Sequence, residues 1–439
     1  MKTKTTKRLA SAMIVLPALL MHSAWADVDL DYEFIAGVAH TNNIDLNPDD
    51  GLDETAGIYG LVLDLEADTR AITADVGINV ERRVYTKDTN EDETIGSVVA
   101  QFDAALVDRI LSWQASNSFG QALIDVFAPD NPENRQDVNV FSTGPVLTLP
   151  LNSSNQLQIA AEYRDLNFED SPQNNDAIMT QLSYSRALNA NRTLALNLSN
   201  NNVDFDRPED PDFDLDVASV SLTSSTSRST LSLEVGANSV DFGNNRDDLT
   251  GALIRAAFSR DLSSRLALSL SYDQELSDSG QLFAQFAGNN AFGNNINPAV
   301  EQTGVADALE QRSAVVNLTT TRRTGNVSIG VRYFDFDFDQ TNNQDRDGLG
   351  IFLTADRELG NGWEFRGRID FNQNEFFDGR DDENLRVQLG LEKRFAQTLS
   401  VQFLLLHNER DSTVGFQSFD EDSVRLIFTW RPGGPRGGV

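Results

Sequence analysis

Side chains that ordinarily carry enzymatic chemistry are sparse in this chain. Its 439 residues include three histidines and no cysteine, which excludes disulfide frameworks, thiolate metal centres and cysteine nucleophiles. His22 sits near the start, leaving His40 and His407. Neither stands in a Ser-His-acid spacing, so general-base and nucleophile chemistry lack their parts. We therefore assign no catalytic residue and expect no enzyme. Arginine recurs instead, at alternate positions near carboxylates: Arg332, then Arg366 and Arg368 between Glu364 and Asp370, then Arg386 and Arg425. A row of guanidinium groups binds oxyanions in a forked geometry and would guide an anionic solute. Pairing of these arginines with Glu364, Asp370 or Glu392 on the same wall is the better reading of the two.

The elements that hold these residues show apolar side chains at every second position. In "NQLQIAAEYR" (155–164), Leu157, Ile159, Ala161 and Tyr163 form one such set. Others are Tyr59-Leu61-Leu63-Leu65, Leu194-Leu196-Leu198, Val327-Ile329-Val331-Tyr333 and Val424-Leu426-Phe428-Trp430. Period two means a strand with one apolar face. About twenty such segments succeed one another, each near the roughly 9–11 residues that a tilted strand needs to cross a bilayer. Setting aside the less regular stretches 112–119 and 138–149 leaves about eighteen. A row of β-sandwich domains would also alternate, but with strands of about five or six residues and Greek-key crossovers. No composition boundary marks where one sandwich would end.

Short connections such as "LNANR" (188–192) and "LGNG" (359–362) alternate with long ones such as "TNNIDLNPDDGLDETA" (41–56) and "DRPEDPDFDLD" (206–216). This is the texture of an all-β, transmembrane up-and-down antiparallel β-barrel, with long extracellular loops, short periplasmic turns and both termini periplasmic. Lipid offers the backbone no hydrogen-bond partner, so strands that cross it close on themselves. With the apolar residues outward, Arg332, Arg366, Arg368, Arg386 and Arg425 face the lumen. On the lipid side each would cost roughly 2–4 kcal/mol near the midplane. The longest connection, about 276–310, carries Phe283, Phe286 and Phe292. Exposed aromatics need something to pack on, and the barrel mouth is the nearest shelter, so this loop is expected to fold inward and constrict the lumen.

The ends and the charge complete the picture. Lys2, Lys4, Lys7 and Arg8 precede the apolar run 9–21 and Ala24-Trp25-Ala26, the form of a secretory signal peptide cleaved after Ala26. The expected organisation is a signal peptide at 1–26, a barrel at 27–430 and a short periplasmic tail at 431–439, because Pro432 cannot continue a ladder. A net charge of −32 opposes nucleic-acid binding. The stretch "NNQDRDG" (342–348) sets Asn343, Asp345 and Asp347 ahead of Gly348, as a calcium loop begins. Thr354 stands where that loop needs a bidentate Glu, and Asn343 replaces its first Asp. A solvated loop is the better reading, and neither a metal site nor a cofactor is assigned. Weak Ca²⁺ contacts between the acidic loops and lipopolysaccharide remain an expectation, alongside outer-membrane lipid as the surrounding partner.

"NRQDVNVFSTGPVLTLPL" (134–151) and "GVAHTNNIDL" (37–46) resemble the outer-membrane barrel family associated with PEP-CTERM and exopolysaccharide loci of Gram-negative bacteria. The resemblance in architecture spans the chain after residue 26, and its distinctive words lie in these two segments. It implies a passive barrel in the cell outer membrane, with a role in exopolysaccharide production or export and a polysaccharide or other solute as partner. A barrel of structural or binding role, its lumen blocked by loops, is the alternative. Many barrels of the family end on an aromatic residue, whereas "RPGGPRGGV" follows Trp430 here.

Overall fold

The computed structural model describes residues 28–432, apart from 50, 88, 126, 171–172, 209, 244–245, 279–282, 284–307 and 340–343. The signal peptide expected at 1–26, and all but the start of the tail, lie outside the described residues.

Twenty strands make one sheet. The first ten are β1 (Val28–Thr41), β2 (Glu54–Asp68), β3 (Ile72–Tyr85), β4 (Glu93–Val107), β5 (Leu111–Leu123), β6 (Arg135–Pro150), β7 (Asn155–Phe168), β8 (Asn175–Asn189), β9 (Arg192–Phe205) and β10 (Phe213–Ser225). The chain continues through β11 (Ser229–Asp241), β12 (Leu249–Asp261), β13 (Leu266–Asp278), β14 (Ala308–Arg322), β15 (Gly325–Phe338) and β16 (Arg346–Gly360). It ends with β17 (Trp363–Phe376), β18 (Asp381–Ala396), β19 (Leu399–Ser412) and β20 (Phe419–Trp430). Each strand is antiparallel to its predecessor, and β1 pairs with both β2 and β20, which closes the barrel. Closure gives each strand a partner on both sides and leaves no sheet edge for lipid to meet. At one end the connections are tight, as from Arg322 to Gly325 and Gly360 to Trp363; at the other they are long, as from Thr41 to Glu54.

The outward face is an apolar band. Leu196, Leu198, Val316, Ile329, Val331, Ile351, Leu389 and Phe428 are exposed hydrophobic residues. Aromatic residues rim it. Phe34 stacks on Trp430 at 5.6 Å between ring centroids near the tight-turn end. Toward the other end the Tyr163 hydroxyl donates to Asp176 at 2.6 Å. An amphipathic ring with an apolar body and a polar tip belongs at a membrane–water boundary.

Above that boundary the alternation inverts. Along β15, Val327, Ile329, Val331 and Tyr333 point out, and the next residues of that face are Asp335 and Asp337; Phe334, Phe336 and Phe338 turn inward and are buried. On β7, Tyr163 is followed on its face by Asp165 and Asn167, with Leu166 and Phe168 buried inside. Outside the bilayer the outer wall meets water, so apolar residues gain only by moving to the inner face. This inversion accounts for the first part of the irregular stretch at 138–149: β6 is continuous, and beyond the boundary its inward residues include the buried Val138 and Val140.

Candidate functional site

The inward wall from β15 to β20 carries the arginine strip. In register, Arg332 and Asn372 flank Gly350 from either side. A Cβ at Gly350 would come within 2.1 Å of Asn372 Oδ1 and 3.0 Å of Arg332 Nε, so only glycine lets the guanidinium cross β16. Arg332 donates to Asn372 Oδ1 at 2.6 Å through Nη2 and to Asp370 Oδ1 at 3.3 Å through Nη1. Asp370 also accepts from Arg368. Arg366 donates to Glu364 at 2.8 Å and lies 3.5 Å from Glu392. Arg394 reaches the same two carboxylates at 2.5 and 3.3 Å. Arg332, Arg366 and Arg368 are thus held by acids of their own wall. Arg386 and Arg425 make no ion pair among the described residues.

Two inward-turned segments narrow the space in front of this wall. The first is the end of β13. β12 and β13 remain in register only to Ile254 and Gln274, although β12 continues beside β11 to Leu249 and β13 continues beside β14 to Asp278. The last residues of β13 have therefore left β12 and lie inside the barrel. Gly251 makes room, since a Cβ there would lie 3.1 Å from Leu276 Cγ. With its amide oriented to suit both neighbours, Asn238 accepts from Leu276 N at 2.6 Å and donates to Gly251 O at 3.0 Å. Leu276 and Ala308 pack with Ala177, Val203, Phe213, Leu215 and Val240 on the inner faces of β8 to β11. Asp278 extends further and accepts from Arg164 of β7 at 2.9 Å, in a pair whose side chains are 9% and 2% exposed. Phe283 lies against Ala122, Val138, Val140, Leu166 and Phe168, across the lumen on β5 to β7. Phe286 and Phe292 lie outside the described residues.

The second segment joins β5 to β6. Phe127 packs on Phe376 at 5.4 Å and Phe377 at 6.3 Å, and its carbonyl accepts from Arg380 Nη1 at 2.8 Å, all at the β17–β18 connection on the other side of the mouth. Asn134 stitches the loop to itself by donating to the carbonyls of Asp125 and Pro129 at 2.7 and 3.0 Å. Asp130 accepts from Arg135 Nε at 2.6 Å. Desolvation opposes ionisation of Asp130, but the adjacent Arg135 guanidinium outweighs it and holds the carboxyl below the usual carboxylate range. Sequence reasoning missed this strap. A lone Phe among acids, Pro and Asn gives no periodic signal, and its receptor on β17–β18 is distant in the chain.

The remaining candidates fall outside the lumen. His40 and His407 flank β20 on the outer face, where His40 Nδ1 lies 3.0 Å from Thr55 Oγ1 and His407 Nδ1 lies 3.0 Å from Asp422 Oδ1. Ligand atoms of His407, Asp420 and Asp422 lie within 4.8 Å of one another on that open surface. Asp347 and Gly348, read above as part of an incipient calcium loop, belong to β16, with Asp347 opposite Asp335 and Glu375. Extended backbone at these two positions leaves no room for the sharp glycine turn of a calcium loop.

No family model matches the chain, and no curated protein is similar to it. Among solved structures it is similar to a mutant of the ferric enterobactin receptor PfeA of Pseudomonas aeruginosa, with TM-score 0.50 and 7% identity over 93% of this chain and 81% of that one. The ferric citrate transporter FecA, unliganded, gives TM-score 0.48 and 8% identity over 91% and 78% of the two chains. OccAB4 of Acinetobacter baumannii gives 0.39 and 12% over 92% and 99%. Identities this low bear on fold alone. The chain has the fold of a closed, 20-stranded antiparallel outer-membrane barrel.

Proposed function

We propose that the protein is a channel of the cell outer membrane with a loop-narrowed lumen, that it serves exopolysaccharide production or export, and that it is not an enzyme. One observation carries the channel reading: an apolar outward band encloses an inner wall of paired arginines and carboxylates, the arrangement expected of a wet path through lipid. The tight turns are periplasmic in this reading, and the long loops are extracellular. The two inward segments make the conductance small. They also favour a second reading, a structural or binding barrel whose mouth stays closed, and the two readings separate in one measurement. Purified protein in a planar bilayer is expected to give discrete, small conductance steps. Bilayers that stay silent, with protein demonstrably inserted, would favour the closed barrel. The exopolysaccharide role rests on the resemblance of 134–151 and 37–46, and is tested by deleting the gene and weighing secreted polysaccharide. Unchanged yield would remove that part of the reading and leave the channel.

A further inference from the structure

Of the five arginines in the strip, Arg386 on β18 and Arg425 on β20 differ from the rest in having no carboxylate partner. Neither side chain forms a hydrogen bond or ion pair with any described residue, and Arg425 Nε is buried without a partner. The acids nearest to them are engaged elsewhere. Asp370 of β17, which stands opposite Arg386, accepts from Arg332 and Arg368. Asp130 is held by Arg135 at 2.6 Å, Glu421 accepts from Thr41 at 2.8 Å, and Glu81 is held by Arg83 at 2.6 Å.

Register fixes how the two are placed. Arg386 stands opposite Asn408 of β19, and Arg425 stands opposite Leu404 of the same strand. They bracket the inward residues Leu404, Leu406 and Asn408, none of which competes as an anion. On its other side Arg425 faces Ala39 of β1, which offers it no charged or polar side-chain partner. Both arginines belong to the inward face and are half-buried. Two guanidinium groups set apart along one wall, with no acid between them on β19 and with the one facing acid, Asp370 of β17, already shared by two other arginines, suit a solute that carries more than one negatively charged oxygen group.

We propose that Arg386 and Arg425 form an oxyanion-recognition point in the lumen, and that the solute it takes bears repeated carboxylate or phosphate groups. This deepens the channel reading, because it rests on the lumen being a solute path. Arg332, Arg366 and Arg368 then serve the wall, with their charge already spent on Asp370, Glu364 and Glu392.

Isothermal titration of the full-length protein in detergent tests this at low salt, with trigalacturonate as the carboxylate probe, tripolyphosphate as the phosphate probe and maltotriose as the neutral control. The native protein is expected to bind at least one anion and not maltotriose; which anion binds identifies the group recognised. Arg386→Gln with Arg425→Gln is expected to weaken that binding at least about tenfold. Arg322→Gln with Arg323→Gln, at a tight turn, removes the same charge and is expected to leave binding unchanged. Heat-modifiable migration in SDS gels verifies that each variant is folded, and Arg386→Lys with Arg425→Lys is expected to retain part of the affinity. Equal affinity in the double Gln variant overturns the proposal, as does equal binding of maltotriose or failure of both anions to bind. Conductance without anion binding would sink this proposal and leave the channel reading intact. Anion binding without conductance would remove the channel reading and leave Arg386 and Arg425 as the recognition point of a closed, binding barrel.

Discussion

Asp370 is the residue on which most of the inner wall depends. It is 1% exposed and accepts from both Arg332 and Arg368. A buried carboxylate that serves two guanidinium groups cannot be removed cheaply, because each cation then remains desolvated without its counter-charge. Asp370→Ala is expected to lower stability by about 3–5 kcal/mol, seen as a lower temperature for loss of the compact, heat-modifiable band. Wild-type behaviour would show that water satisfies both arginines. The sequence discloses part of this cluster. Arg368 and Asp370 are two apart in a strand, so they share a face, and Glu364 and Arg366 do likewise. The partner of Arg332 was not legible, since it lies two strands away and depends on the register of β15, β16 and β17 and on the missing side chain at Gly350. Nor does any local pattern distinguish the unpaired Arg386 and Arg425 from their neighbours.

Among the elements, β13 shows how a strand can leave its sheet without losing its hydrogen bonds. Its final residues exchange β12 for the side chain of Asn238 and the buried pair with Arg164, while β14 stays beside them throughout. Asp278 is the latch of this arrangement. Asp278→Ala removes the attachment to Arg164 and Asn201 and is expected to raise single-channel conductance by freeing the strand end from the inner wall. Unchanged conductance would mean that the apolar contacts of Leu276 and Phe283 suffice to hold it. The strap from β5 to β6 responds differently to pH. Its Asp130 has a depressed folded-state pKa, so its contact with Arg135 adds stability above the unfolded carboxylate value of about 3.9. That contribution is lost only as pH falls through the lower folded value. Conductance governed by this strap is therefore expected to be flat from about pH 5 to 8 and to change only below about pH 4. A transition near neutrality would point to another group. Aromatic residues in the long connection led to the expectation of inward folding; of the three, Phe283 is buried against β5 to β7, and Phe286 and Phe292 lie outside the described residues. The β5–β6 strap gave no such signal, because a contact between loops at opposite walls has no sequence period.

For the whole molecule, the two-residue period was enough to specify a closed barrel of about twenty strands, because every strand obeys the same solvent rule within the bilayer. It misled only where that rule reverses. Beyond Tyr163 and Tyr333 the outer wall turns acidic and the inner wall apolar, so a segment such as β6, whose inward Val138 and Val140 follow the reversed rule, looked irregular. The reversal also shows which end of the barrel projects from the hydrocarbon. An outward face bearing Asp335, Asp337, Asp347 and Glu375 cannot sit in hydrocarbon, and it adjoins the long connections, which must then project from the membrane. The absence of native cysteine makes this orientation directly measurable. Phe416 lies between β19 and β20 at the long-loop end and is 72% exposed, whereas Ser153 lies in the tight turn between β6 and β7. On intact cells a membrane-impermeant maleimide is expected to label Phe416→Cys and to spare Ser153→Cys. Permeabilising the outer membrane should make Ser153→Cys reactive as well. Labelling of Ser153→Cys alone on intact cells would invert the barrel in the membrane. Recovery of both variants in a soluble fraction would mean that the apolar band faces something other than lipid.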